Sequence, residues 1–318
     1  MAWGSFNIHS EETMPSVVSQ LSARHLITPP SWLPDNIMFE GIQGSTAYGA
    51  AVDDSDFDMI GWCIPPKDIV FPHLAGQIDG FGRQKQKFVG YQKHHVHDAS
   101  ALGGRGRQYD LNIYNVVHYF NLCMENNPNM LDSLFLPAEC IVHTSIVGNM
   151  VRERRHLFLH KGAWHRFKGY AFSQLAKMET KSPEPGSKRA VTVEQYGFDT
   201  KFACHLVRLM YEVEQILTTG DLDLRRNSEE LKSIRRGEWT AQQIREFFAA
   251  KEKGLEAIYE ACEILPWGPR EDEIKQLLLD CLEEHYGHLE GCIVTDMTPV
   301  LALREIANVL DRHRSLLK

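Results

Sequence analysis

The chain has 318 residues, 43% of them hydrophobic, which is long enough for one large domain or two with a buried core. A formal net charge of −8 argues against a protein that coats nucleic acid nonspecifically, although it leaves room for a local basic patch. There is no long apolar run and no basic N-terminus followed by an apolar segment, so we expect a cytoplasmic protein without a membrane partner. The seven cysteines are scattered without a CxxC pair, and we expect them to be reduced thiols.

The first predicted element is a strand over residues 36–42 that ends in a Gly-Ser turn. Its β-branched and aromatic content favours a strand. Gly44 has no side chain to obstruct a phosphate-sized ligand, and Ser45 adds a hydroxyl beside backbone N–H groups that bind anions. The pattern predicts an anion-binding turn.

A second strand is predicted over residues 56–62, where Asp56 and Asp58 point to the same face. Two neighbouring carboxylates repel each other unless a cation lies between them, and oxygen ligands of this kind suit Mg²⁺ or Mn²⁺. In two-metal phosphoryl transfer the ions lie about 4 Å apart, and a further carboxylate is usually required. Asp110, before a predicted helix over residues 115–125, is the candidate; Glu40 is the alternative if the strand order differs.

Other interpretations of the acidic segment were tested by spacing. An EF-hand loop beginning at Asp54 would place Met59 where glycine is needed and Pro65 where a bidentate glutamate is needed. A P-loop would place Ala50 and Ala51 at its Lys and Ser/Thr positions. A solvated acidic turn remains as the alternative without chemistry, because Asp and Ser are ordinary turn residues.

Between the two acidic strands lies a basic insertion at about residues 77–108, predicted to be a mobile loop or ribbon. Its basic residues are Arg83, Lys85, Lys87, Lys93, Arg105 and Arg107, with His94, His95 and His97 beside them. Such a segment suits contact with nucleic-acid or triphosphate oxygens, and a solvated hairpin is the alternative. The histidines lack an obvious fourth ligand for a structural zinc site.

The rest of the chain is predicted to be mostly helical, which gives a catalytic domain over residues 1–143 and a helical domain over residues 144–318. Helical spacing of apolar residues occurs over residues 144–158, 164–178, 201–218, 241–263, 271–285 and 299–317. A Pro-, Gly- and Ser-containing stretch over residues 180–190 is the candidate linker.

One predicted helix carries Lys201, His205 and Arg208 at spacings of four and three, so these residues share a face. Such a face is suited to holding a triphosphate or acceptor phosphates. The alternative is a surface stripe that pairs with Asp199 and Glu212.

The Gly-Ser turn followed by a paired-Asp strand resembles the signature of the DNA-polymerase-beta-like nucleotidyltransferase superfamily. Within it, the chain is most similar to predicted nucleotidyltransferases associated with RNA repair. The similarity extends over residues 36–238 and includes the segments 126–135, 196–201, 205–209 and 234–238.

This resemblance implies an α+β fold, with a small mixed-sheet core, flanking helices and a mostly helical C-terminal region. It also implies two Mg²⁺ or Mn²⁺ ions on Asp56, Asp58 and Asp110, and a nucleoside triphosphate held by Gly44, Ser45 and Tyr48, with Lys201, His205 and Arg208 assigned to the same task. The expected reaction is nucleotidyl transfer to an RNA hydroxyl, such as a tRNA end. Transfer to a protein side chain, or nucleotide sensing without turnover, are the alternatives.

Overall fold

The computed structural model describes residues 15–50, 57–71, 76, 78 and 87–287, together with positions 303, 306, 307 and 310. Asp56, the first part of the basic insertion and most of the predicted helix over residues 299–317 therefore lie outside the described residues. All further statements concern the described part of the chain.

The centre of the fold is a mixed sheet of five strands. These are β1 Ile37–Ile42, β2 Phe57–Cys63, β3 Gly90–Asp98, β4 Arg107–Asn115 and β5 Ile141–Thr144. Their order is β3-β4-β2-β1-β5; β2 and β4 run parallel, and the other neighbouring pairs are antiparallel. The second half of the basic insertion thus forms β3, an outer strand of the sheet.

Helices surround this sheet and continue beyond it. They are α1 Val17–Ala23, α2 Lys67–Val70, α3 Ala101–Gly104, α4 Val116–Met124, α5 Pro128–Leu134, α6 Ile146–Glu153, α7 Ala163–Thr180, α8 Lys188–Tyr196, α9 Thr200–Thr219, α10 Ser228–Arg235, α11 Ala241–Ala261 and α12 Glu271–Tyr286. The prediction of an α+β protein with a helical second half is confirmed.

The two faces of the sheet have different surroundings. We call the face that carries Asp58 the front and the opposite face the back. On the back, Met59 and Leu111 are fully buried. On the front, Trp62 stacks on Tyr119 of α4 at 5.6 Å between ring centroids. Toward the other end of the same strand, the Asp58 residue is exposed to solvent. The front face is therefore covered at one end and open where the predicted metal ligands lie.

Helix α9 is the core of the helical half. The side chain of Asp199 accepts hydrogen bonds from two amides of its first turn, and Gly220 ends it with a left-handed φ of 67°. It packs against α7, α10 and α11. The helical spacing of apolar residues predicted this helix over residues 201–218, within one residue of each observed end.

Some elements differ from the sequence prediction. Helix α8 begins inside the predicted linker, because the side chain of Ser187 caps it by accepting a hydrogen bond from Ala190 N. Helices α1 and α10 and strand β5 were not predicted; all are short, and β5 pairs with β1 at the edge of the sheet. No described helix is both long enough and apolar enough to cross a membrane.

Candidate active site

The Gly-Ser turn rests directly on Asp58. After β1 the chain turns sharply at Gly44, whose φ is +73°, and a Cβ placed there would lie 2.6 Å from Asp58 Oδ2. The amide of Gln43 donates to the main-chain oxygen of Asp58 at 2.8 Å. A glycine is therefore required at this point both for the backbone conformation and for the close approach of the carboxylate. Ser45 follows it in the same turn.

Asp58 and Asp110 lie side by side on the front face. The parallel register of β2 and β4 pairs these two residues directly. The Asp110 side chain is 21% exposed, so both carboxylates are accessible from the same side of the sheet. Asp56 lies outside the described residues, and no group of three His, Cys, Asp or Glu side chains suited to a metal occurs within them. The two described carboxylates are hard oxygen donors, as Mg²⁺ and Mn²⁺ prefer.

Glu40 does not belong to this group. It pairs with Gly61 of β2, which places it on the back face, and its carboxylate accepts hydrogen bonds from the amides of Val17 and Val18 at the start of α1. Burial raises the pKa of Glu40 to about 7, against the lowering by these amides. The strand order therefore excludes the alternative in which Glu40 replaces Asp110.

A β-bulge fixes the carboxylate of Asp110. The register between β3 and β4 shifts between Lys93 and Val96, and His95 within the bulge has a φ of +56°. This turns the His95 amide toward Asp110 Oδ1, to which it donates at 2.7 Å. The ring of His94 lies 3.7 Å from the other carboxylate oxygen, measured from Nδ1. A bulge of this kind re-aims side chains next to functional sites.

Tyr48 and Arg208, predicted as nucleotide contacts, lie instead in a buried ionic cluster. The hydroxyl of Tyr48 donates to Asp132 Oδ2 at 2.7 Å, and the Arg208 guanidinium lies 4.2 Å from the centroid of the tyrosine ring. Arg208 Nη1 donates to Asp132 at 2.5 Å and to both oxygens of Glu212 at 2.9 Å. With side-chain exposures of 6% for Arg208 and 0% for Asp132, the cluster has no open side for a triphosphate.

The prediction for these two residues is corrected accordingly. The alternative interpretation, pairing of Arg208 with Glu212, describes the contact, but the pair is buried rather than on the surface. Burial raises the pKa of Glu212 to about 8 and also raises that of Asp132, while Arg208 opposes both shifts. Asp132 was missed as a partner because only the fold brings it beside Tyr48.

A second arginine holds the same turn from the helical half. Arg225 donates from Nε to the carbonyl of Ala47 at 3.3 Å and from Nη2 to the carbonyl of Thr46 at 3.4 Å. The loop that follows Ser45 is thus attached to the helical region at two points, through Tyr48 and through these carbonyls.

Lys201 and His205 remain beside this cluster on the first turns of α9. Lys201 is exposed, and its predicted contact with phosphate stays a prediction. Burial, together with the charges of Arg208, Lys201, Arg235 and Arg189, lowers the pKa of His205 to about 3. This shift favours the neutral imidazole of His205 near pH 7. Arg235 is an additional basic residue of this region that the sequence did not single out.

The mixed sheet, the Gly-Ser turn and the carboxylates on adjacent strands define the general class of polymerase-beta-like nucleotidyltransferases. Residues 11–287 match the model of RlaP, the RNA repair pathway DNA polymerase beta family, and the chain belongs to this family. No curated protein matches the chain. The family resemblance inferred from the sequence is thereby confirmed, over a longer segment than the motifs alone covered.

Proposed function

We propose that the protein transfers a nucleoside monophosphate from a nucleoside triphosphate to a terminal hydroxyl of RNA. The observation that supports this most is the contact of Gly44 with Asp58 together with the direct pairing of Asp58 with Asp110. A turn suited to phosphate oxygens thus lies next to two carboxylates suited to divalent cations, and the family is one of RNA repair.

In this reaction the acceptor oxygen forms a bond to the α-phosphorus, and the bond between the α-phosphorus and the bridging oxygen to the β-phosphate breaks. Pyrophosphate leaves and the hydroxyl proton passes to solvent. Asp58, Asp110 and Asp56 would hold two Mg²⁺ or Mn²⁺ ions, which supply charge neutralisation of the phosphates and activation of the hydroxyl.

The protein's own groups act by positioning. The Gly44–Ser45 turn presents backbone N–H groups and a hydroxyl to the triphosphate, and the His95 amide keeps the Asp110 carboxylate in place. Most of the rate enhancement then comes from orientation and charge stabilisation rather than from covalent chemistry.

The test is incubation with each α-³²P-labelled nucleoside triphosphate, Mg²⁺ or Mn²⁺, and either total RNA or cell lysate. Wild-type protein is expected to label RNA, and Asp58→Asn is expected to abolish labelling. Asp272→Asn, at an exposed position in the first turn of α12, is the matched control and should retain it. Label on protein would instead identify a side-chain hydroxyl as acceptor, and nucleotide binding without any labelling would indicate a sensor. Full activity of Asp58→Asn would refute the site.

A further inference from the structure

We propose that Gln92, His94 and Asn112 form the acceptor side of the candidate active site and bind the terminal ribose of a single-stranded RNA. The inference rests on the proposed function and specifies where its acceptor enters. It begins from the requirement that the attacking and leaving oxygens lie roughly in line through the transferred phosphorus.

The direction of attack follows from the order of the strands. The Gly-Ser turn follows β1, and β1 lies on one side of β2, whereas β4 and then β3 lie on the other. If the turn holds the leaving phosphates against Asp58, the attacking hydroxyl approaches across Asp110. The acceptor therefore comes over the edge of the sheet that β3 forms.

Three polar side chains occupy that edge on the front face. His94 lies beside Asp110, with Nδ1 3.7 Å from its carboxylate. Asn112 lies two residues further along β4 and so shares the face of Asp110, and Gln92 pairs directly with it across β3. His94 continues the line from the turn through Asp58 and Asp110 to the outer strand, and Asn112 and Gln92 flank that line at the level of Ile60.

The two amides of this row are available to a ligand. Within the described residues, neither Gln92 nor Asn112 has a side-chain hydrogen bond to another group, whereas Asn115 and Asn126 on neighbouring elements donate to carbonyls. Gln92 is exposed and Asn112 half-buried. Each amide offers both donors and an acceptor, which matches the paired hydroxyls of a terminal ribose, and the 2′-hydroxyl is the group that distinguishes RNA from DNA.

The surrounding charge favours a polyanion over a protein as acceptor. The described basic residues on β3 and beside it are Lys87, Lys93, Arg105 and Arg107, with His94, His95 and His97. The acidic residue at the end of β3, Asp98, is already paired with Arg24 at 2.5 Å. In a chain with a net charge of −8, this concentration of cations along one outer strand provides a path for the phosphates that precede the terminal ribose.

The experiment compares Gln92→Ala, His94→Gln and Asn112→Ala with wild type in steady-state transfer. Loss of one hydrogen bond to the acceptor is expected to raise the KM for RNA by about three- to tenfold in Gln92→Ala and Asn112→Ala, with the KM for the nucleoside triphosphate unchanged. His94→Gln, which keeps a hydrogen-bonding group, should have a smaller effect. Gln242→Ala is the matched control, because it is the same amide-to-alanine change at an exposed position of α11, in the helical half.

A direct binding measurement separates this proposal from the reaction itself. Anisotropy of a short fluorescein-labelled single-stranded RNA is measured with the same variants, and with a DNA oligonucleotide of equal sequence. Weaker RNA binding in Gln92→Ala and Asn112→Ala than in Gln242→Ala supports the proposal. It does so even if the wild-type protein transfers no nucleotide, because absence of transfer refutes only the proposed function. Unchanged RNA affinity and KM in both amide variants, or a raised KM for the triphosphate instead, would overturn it.

Discussion

Substitution of Arg208 by methionine tests the most buried ion pairs among the described residues. Arg208 makes hydrogen bonds to Asp132 at 2.5 Å and to Glu212 at 2.9 Å, and these three side chains are at most 6% exposed. Water cannot replace the lost cation at such burial. Removing one partner of a buried ion pair costs about 3–5 kcal/mol, and methionine fills most of the vacated volume, so we expect a loss of that size in the free energy of unfolding.

The assay is urea denaturation near neutral pH, in which the free energy of unfolding is obtained from the midpoint concentration of urea and the m-value. Arg236→Met is the matched control, since its ion pair with Glu238 is exposed to solvent and its loss should leave the free energy of unfolding nearly unchanged. Arg208→Met should also recover stability as the pH falls, because the opposing cation is gone and Asp132 and Glu212 hold their protons more tightly in the folded state. A loss below about 1 kcal/mol would refute the reasoning, since it would mean that the cluster is not a desolvated charge network.

Three further predictions concern single positions. Burial of Glu40 raises its pKa from 4.5 to about 7, so its contribution to stability is fully present below about pH 4.5 and is lost as the pH rises through about 7. The free energy of unfolding should therefore fall by about 3 kcal/mol across this range in the wild type. Glu40→Gln should remove this pH dependence, as measured by urea denaturation at each pH. Gly44→Ala should destabilise the protein by about 1–2 kcal/mol and strongly reduce nucleotidyl transfer, because residue 44 has a left-handed φ and the added Cβ would meet the Asp58 carboxylate. Wild-type kinetics in this variant would contradict this geometry. His95→Gly keeps the amide that holds Asp110 and relieves the positive φ, so thermal unfolding should show a gain of up to about 1 kcal/mol with activity retained.

The sequence predicted the parts of the site that depend on neighbours along the chain. Alternation along a strand was enough to assign Asp58 to one face of β2, and the helical spacing of apolar residues was enough to place α9 within one residue of each end. The choice of Asp110 over Glu40 needed the order β4-β2-β1, which no local pattern contains.

Long-range pairing also explains why Arg208 was misassigned. On a helical projection it belongs to a basic face with Lys201 and His205, and such faces are usually solvated. Its actual environment is set by Asp132, 76 residues away, and by Tyr48, farther still. Local spacing identifies which residues share a side of a helix, but not whether that side is covered.

The attachment of the Gly-Ser loop to the helical half has a consequence for dissecting this protein. Tyr48 reaches Asp132 and Arg208, and Arg225 reaches the carbonyls of Thr46 and Ala47. A fragment truncated just after β5 would therefore keep the carboxylates of the candidate centre and still lose Arg208 and Arg225, which contact the Gly-Ser loop from the helical half. The shape of this loop thus depends on the helical half, and transplanting the sheet alone into another protein would carry over the carboxylates without the contacts that hold the loop beside them.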